Sequence, residues 1–318
     1  SLALFVLMTI GAARAQSVEA FLTFRILQCS VASGMVLSRA VVQDLHPQDQ
    51  AASMIGYVTM GMALVPMLGP MIGGVLDEAF GWRASFWLLT IAGSAVLILT
   101  YFDMGETVRG GGLTFKEQIA SYPALFASPR FWGYALCAAF GSGAFFALLG
   151  GASFVAISVF NLSPTLAGVA LGAPAVGYAF GNFLSGRFAV RFGINAMALT
   201  GMLITTTGMA TSLVLTLSGL HSPWVFFGCC VFLGLGNGLM LPNVTAGLLS
   251  VRPHLAGTAS GLGGAMMIGG GAALSQLAGA WLTLETGTLP LQWIMLITSI
   301  LASASALFVI YRTKSIDA

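Results

Sequence analysis

Arg25 and Gln28 stand one helical turn apart inside an otherwise apolar run, Arg25-Ile-Leu-Gln28-Cys29-Ser-Val-Ala-Ser-Gly34. A guanidinium in such a run costs several kcal/mol unless it faces a partner or a watery cavity. It should therefore face inward. There its fixed charge can hold down the pKa of a nearby carboxylate or respond to its protonation, which is proton-coupling chemistry; a structural arginine pairing with backbone carbonyls is the competing reading. Gln28 orients a substrate or Arg25, or it makes an interhelical packing bond.

Other candidates are uncharged. Asn237 lies in a later apolar run with Met240, and a buried amide needs a partner. Phe140 and Phe146 occur at helical spacing in another. Aromatic and Met side chains at such spacing either pack the helices or line an adaptable apolar site. In Gly69-Pro70-Met-Ile-Gly73-Gly74, adjacent residues lack a side chain and a backbone donor, so the helix should bend there and let a neighbour approach. Small-residue packing alone would also account for these glycines. Gly186-Arg187-Phe-Ala-Val190-Arg191-Phe-Gly193 puts two arginines at a helix end, as charge anchors or as a gating loop. Cys29, Cys137, Cys229 and Cys230 have no CxxC spacing and no nearby His, which argues against metal and disulfide roles. Neither a metal nor any other cofactor is implied. Asp44, His46 and Asp49 read as a solvated turn around Pro47, not as the metal-binding cluster a membrane-embedded enzyme would need. The chain is not read as an enzyme.

The elements that must position these residues are membrane helices. Of 318 residues, 57% are hydrophobic and 7% charged, against roughly a quarter charged in a soluble domain. Lipid cannot satisfy backbone N–H and C=O groups, so crossing segments are helices of about 20 apolar residues. Such stretches fall at 1–16, 21–43, 51–76, 83–102, 131–159, 165–186, 194–219, 223–250, 255–283 and 289–311. The connection 103–130 is long and polar and reads as a linker between two bundles, residues 1–102 and 131–318. If it is cytoplasmic, Arg39, Arg109, Lys116, Arg130, Arg187, Arg191, Arg252, Arg312 and Lys314 share its side, with Arg14 and Arg83 opposite. The positive-inside rule then puts the carboxyl terminus in the cytoplasm. The scattered basic residues form no nucleic-acid patch.

The runs before and after the linker are unequal in number, and Leu2–Ala13 is short of a full crossing before Arg14 interrupts it. An N-terminal portion is therefore expected to be missing. Laying Pro47 on Pro253 brings Met60 onto Met266, Leu68 onto Leu274, Gly73 onto Gly279, Gly74 onto Ala280 and Leu76 onto Leu282. That register carries the start of the second bundle back to about 75 residues before Ser1, on the order of two helices. The parent would then hold two six-helix bundles as parallel repeats.

Three segments carry a family resemblance. Arg25 to Gly34 resembles the RxxQGxGxx motif of span 4 in drug:proton antiporters, with Cys29 in place of the usual Gly. Gly69 to Gly74 resembles the GPxxGG antiporter motif of span 5, followed by Gly81-Trp82-Arg83-Ala-Ser-Phe86 opening span 6. Pro253-His254-Leu-Ala-Gly257-Thr-Ala-Ser260 opens span 11. With the segment 186–193, the chain resembles, over its whole length, major facilitator transporters of the bicyclomycin-resistance (Bcr/CflA) branch. The resemblance implies an all-α membrane fold of two bundles, with spans 3 to 12 present, about ten of twelve helices.

It also implies proton-coupled export of small amphipathic drugs by alternating access, with substrate near the midplane. Arg25 and Gln28 would serve coupling, Gly69, Pro70, Gly73 and Gly74 a hinge, Asn237, Phe140, Phe146 and Met240 the substrate cavity, and Gly186, Arg187, Arg191 and Gly193 a gating loop. Val190 stands where that loop often has Asp, which puts a charge relay there in doubt. The expected partners are drugs or metabolites, protons and lipid, for a monomer in the bacterial inner membrane. A carrier dedicated to one metabolite is the alternative. Without spans 1 and 2 the fragment alone is expected not to transport.

Overall fold

The structure is a computed structural model that describes residues 1–32, 34, 41, 65, 69–103, 122–123, 125–252 and 255–317. Outside them lie Arg39, the Asp44–His46–Asp49 turn, Pro47, Met60, Leu68, Pro253, His254 and most of the 103–130 connection, with Arg109 and Lys116. The described residues are almost entirely helical. The helices are α1 (Leu2–Arg14), α2 (Val18–Gln28), α3 (Arg83–Asp103), α4 (Pro129–Phe154), α5 (Pro164–Phe192), α6 (Ile194–Leu217), α7 (Pro223–Ser250), α8 (Ala256–Trp281) and α9 (Leu289–Asp317). Residues 69–80 are helical as well.

Local sequence explains where the helices start and stop. Ser128-Pro129 and Ser163-Pro164 open α4 and α5, each serine accepting from a first-turn N–H (Phe131 at 3.4 Å, Leu166 at 3.3 Å) while proline fills a position whose own N–H would have no helical partner. Ser222-Pro223 opens α7. The turns fall on Asn161, Gly81, Gly193, Gly219 and Gly287, all at positive φ, where a β-carbon is disfavoured.

Among the described residues, six helices are long and apolar enough to cross a membrane, including α3 through α7. They present large apolar side chains outward, among them Ile91, Leu99, Phe183 and Val214. The expected runs match these helices to within a few residues at most ends. The stretch expected at 165–186 is longer, since α5 continues to Phe192.

The chain divides into two compact units, one of Ser1–Val65 with Met71–Gly112, the other of Pro66–Pro70 with Leu113–Ala318. In the first, α1 packs against both α2 and α3. In the second, α7 packs along α5 and α6, and α4 along α8 and α9. Its core forms two layers along the helices. One gathers Leu148, Val155, Met209, Phe226, Leu233 and Leu291; the other gathers Phe131, Tyr134, Met202, Met240, Val244 and Val309. Leu125 is fully buried in the second layer, so the last residues assigned to the linker pack with this bundle.

What brings α7 against its neighbours is glycine on two faces. A β-carbon at Gly234 would collide with the Pro174 carbonyl of α5, and one at Gly238 with the Tyr178 carbonyl; on α5, Gly177 and Gly181 lie equally close to the Val231 and Leu235 carbonyls. Toward α6, Gly236 lies on Gly201 and Thr205. Apolar tails solvate apolar helices as well as another helix does, so close backbone packing of this kind must hold the bundle together.

Gly234→Ala is accordingly expected to lower stability by ~1–3 kcal/mol through overpacking against backbone. Gly279→Ala, at an exposed position with open space around it, should stay within ~0.5 kcal/mol of the parent. Thermal unfolding of both variants in detergent checks the contrast, and equal melting temperatures would remove the seam as the source of rigidity.

Candidate functional site

Arg25 and Gln28 sit in the last turn of α2, where the α-helix tightens into a 3-10 turn at Cys29–Val31. The Cys29 thiol contacts the Arg25 carbonyl at 3.5 Å. Arg25 Nη1 donates to Gln28 Oε1 at 2.7 Å, and Gln28 Nε2 donates across to Thr9 Oγ1 of α1, also at 2.7 Å. Thr9 Oγ1 in turn donates to the Phe5 carbonyl at 2.6 Å. Gln28 is 4% exposed and Thr9 fully buried, whereas Arg25 is exposed. One amide thus bonds both to Arg25 on its own helix and to Thr9 on α1. Arg25 is exposed on the first unit, as are its α2 neighbours Leu22, Ile26 and Leu27.

The Arg25 guanidinium also lies 5.7 Å from the Phe86 ring centroid. Phe86 belongs to an edge-to-face cluster with Phe21 and Trp82, whose centroids are 5.5–5.7 Å apart. Arg83 lies 4.4 Å over Trp82 and donates to the Ala15 carbonyl at 3.4 Å. The Gly81-Trp82-Arg83-Ala-Ser-Phe86 segment thus builds the aromatic side of the Arg25 site, which spacing did not reveal.

In the second unit, Asn237 is 5% exposed and its Nδ2 donates to the Leu233 carbonyl at 3.2 Å. Its Oδ1 is buried without a hydrogen-bond partner. Buried amide oxygens are nearly always paired, with protein or with water, so among the described residues this oxygen is an acceptor left available. Met240, expected to line a cavity, has no accessible surface and packs with Met202 against Gly141. It is core, because Gly141 leaves a space that a flexible thioether fills. Phe140 is half-buried against the same core layer, and the Phe146 ring covers Gly271.

Gly69, Pro70, Gly73 and Gly74 lie in one helical stretch, and among the described residues nothing comes within 4 Å of a β-carbon built at Gly69. Close backbone approach is seen along α5, α6 and α7. The division between units runs through the motif, Gly69 and Pro70 falling in the second and Gly73 and Gly74 in the first. Gly186, Arg187 and Arg191 belong to no loop: α5 runs unbroken through them, and Gly193 alone, at φ 83, makes the turn into α6. One isolated glycine costs a helix only ~1 kcal/mol and does not end it.

One further buried amide was not singled out from the sequence. Gln292 of α9, fully buried, donates through Nε2 to Ser212 Oγ at 2.9 Å and Thr216 Oγ1 at 2.8 Å on α6, and its Oε1 accepts from Thr288 at 3.3 Å. An amide inside the apolar run 289–311 was the available signal.

The Major Facilitator Superfamily model matches residues 1–275 and 155–316 of the chain. A bicyclomycin resistance protein homolog of Haemophilus influenzae is 26% identical over 77% of this chain and 62% of its own length. Multidrug resistance protein D of Escherichia coli is 27% identical over 85% of the chain and 68% of its own length. The chain thus spans about two thirds of the length of these relatives. A bacterial homolog of the human lysosomal transporter Spinster, crystallised inward-facing and occupied, superposes with a TM-score of 0.69 at 18% identity, covering 98% of this chain and 81% of that one; this is likeness of fold.

Substitution at Asn237 tests what its unpaired oxygen contributes to stability. Asn237→Leu is expected to leave thermal stability unchanged or raised by up to ~1 kcal/mol, since the unpaired oxygen goes and the Leu233 carbonyl that loses the Nδ2 donor keeps its helical backbone N–H. A drop of several kcal/mol in unfolding experiments would show instead that the amide is a packing bond.

Proposed function

The chain belongs to the Major Facilitator Superfamily, with the major facilitator fold of an integral membrane protein, and we propose that it exports small amphipathic drugs in exchange for protons. The observation that carries the reading is the Arg25 guanidinium, held by Gln28 at 2.7 Å at the end of α2 within a segment of antiporter-motif type. Relatives named for bicyclomycin and multidrug resistance support this substrate class.

In this reading, residues 1–102 belong to the first bundle, 103–130 are the central connection and 131–318 the second bundle. Arg25 is the fixed positive charge that answers to protonation of a carboxylate elsewhere in the protein. When the carboxylate is ionised, the guanidinium is drawn to it; on protonation the attraction falls and Gln28 keeps the guanidinium in place. Asn237 offers a hydrogen-bond acceptor to a substrate that carries a donor, in otherwise apolar surroundings, which suits varied amphipathic compounds. Phe140 and Phe146 are the aromatic candidates for the same cavity. Gly69, Pro70, Gly73 and Gly74 serve as the hinge between the bundles, and the α5–α6 corner at Arg187, Arg191 and Gly193 as the cytoplasmic latch. The protein works by alternating access as a monomer in the bacterial inner membrane.

Drug accumulation in efflux-deficient cells tests this, comparing the chain, the chain extended at its N-terminus by a matching pair of helices, and that extended chain with Arg25→Ala. The extended chain is expected to lower accumulation only while a proton gradient exists, the chain alone to export nothing, and Arg25→Ala to abolish export at equal membrane expression. A well-expressed extended chain that exports no compound of a broad panel would sink the multidrug reading and favour a single-metabolite carrier. The orientation has its own check: a fluorescent protein fused after Ala318 should mature and fluoresce, and an alkaline phosphatase fused there should stay inactive. Active phosphatase would invert the topology.

A further inference from the structure

We propose that Thr9, an uncharged residue on α1, is a positioning residue for Arg25: it sets which way the Gln28 amide faces, and through that amide the aim of the guanidinium. The proposal rests on the reading of Arg25 as the coupling charge and adds a residue that reading did not include.

The argument is one of hydrogen-bond polarity. A threonine hydroxyl has one hydrogen, and Thr9 gives it to the Phe5 carbonyl at 2.6 Å within its own helix. What it presents to α2 is a lone pair, so its partner at 2.7 Å must be a donor, the Gln28 Nε2. The amide's other end, Oε1, is then on the Arg25 side, where Nη1 donates at 2.7 Å. Turning the amide over would set Oε1 against the Thr9 lone pairs and Nε2 against the guanidinium. Both bonds would be lost, and at the Gln28–Thr9 end, which is buried, the amide oxygen would be left unpaired. Donation therefore runs one way, from Arg25 to Gln28 to Thr9 to the backbone of α1.

Helix packing keeps Thr9 within reach. Gly11, two residues on, leaves room for the Phe24 ring of α2, which any side chain at that position would strike. This contact sets the height of α1 on α2. Without the chain of bonds, a long arginine side chain at an exposed position is free to swing toward water.

The test uses whichever form of the chain exports drug. Thr9→Val keeps the volume and removes donor and acceptor together. Proton-driven export is expected to fall about tenfold, the worth of one such hydrogen bond, with the drug KM changed by no more than about twofold. Thr9→Ser should restore the parent rate. In a Gln28→Ala background, Thr9→Val should change nothing further, as a residue acting only through Gln28 must. Gel filtration and thermal unfolding report folding; should Thr9→Val not fold, Thr9→Cys, a near-isostere that hydrogen-bonds weakly, takes its place in the same comparison. Parent-level export by the folded variant, or equal losses in both backgrounds, would overturn the proposal, the second outcome meaning that Thr9 only packs α1. Export lost in Arg25→Ala but intact in Thr9→Val sinks this inference alone. Parent-level export in Arg25→Ala brings down the coupling reading and this proposal with it.

Discussion

Helices in lipid gain little from hiding apolar surface from a solvent that is itself apolar, so what holds them is contact that lipid cannot match. In the second unit that contact is backbone on backbone. Gly234 and Gly238 of α7 face α5 one helical turn apart, and Gly236 between them faces α6. The spacing matters because residues four apart share a face while a residue two along points elsewhere. One Gly-Leu-Gly-Asn-Gly segment can therefore bring two neighbours against α7 at the same height. Dispersion between backbones at contact distance then replaces the missing hydrophobic drive.

Burial at that density leaves little freedom for polar groups, and most have been given partners. Asn243 donates to Ser185 and to the Leu239 carbonyl, both at 2.7 Å. Tyr134 donates to Asn195 at 2.7 Å just beyond the Gly193 turn, which ties α4 to the start of α6. Gln292 has acceptors on α6 for its donors and a donor for its oxygen. Against that background the Oδ1 of Asn237, between Gly236 and Gly238 of the glycine seam, has no partner among the described residues.

Much of this was legible in the sequence, for reasons that can be named. The apolar runs matched helices because a 20-residue crossing leaves a compositional signature that no packing detail can hide. Ser-Pro and isolated glycines marked their ends for equally local reasons. Arg25 and Gln28 were found because charge and amide stand out in a run of hydrocarbon. Thr9 was not, because threonine in a membrane helix ordinarily bonds the carbonyl one turn back, as Thr90, Thr206 and Thr298 do here; nothing in its own run says that its lone pair is in use. Met240 was misread as a lining residue because composition cannot tell a flexible side chain in a cavity from one filling the space above Gly141. The Gly186–Arg191 segment was taken for a loop since two arginines and a glycine end the apolar stretch, yet hydropathy ends where the lipid does and the helix does not have to.

The two buried glutamines show how one side chain can serve rigidity or response. Gln292 is the centre of a closed set: each of its partners is a neutral hydroxyl or a carbonyl, and no member carries a charge that a field could pull. Such a knot has one arrangement. Gln28 is the middle of an open chain whose one end is a backbone carbonyl of α1 and whose other is an exposed cation. The backbone end cannot change partner without unwinding a helix, whereas the guanidinium can exchange Gln28 for any stronger acceptor at the expense of a single hydrogen bond, ~1.5–3 kcal/mol. That is small enough for a carboxylate to overcome when ionised and large enough to recapture the arginine when the carboxylate is protonated. An anchored amide beside a fixed charge therefore provides the two-state element that coupling requires, with the switching confined to the end that faces away from the packed helices.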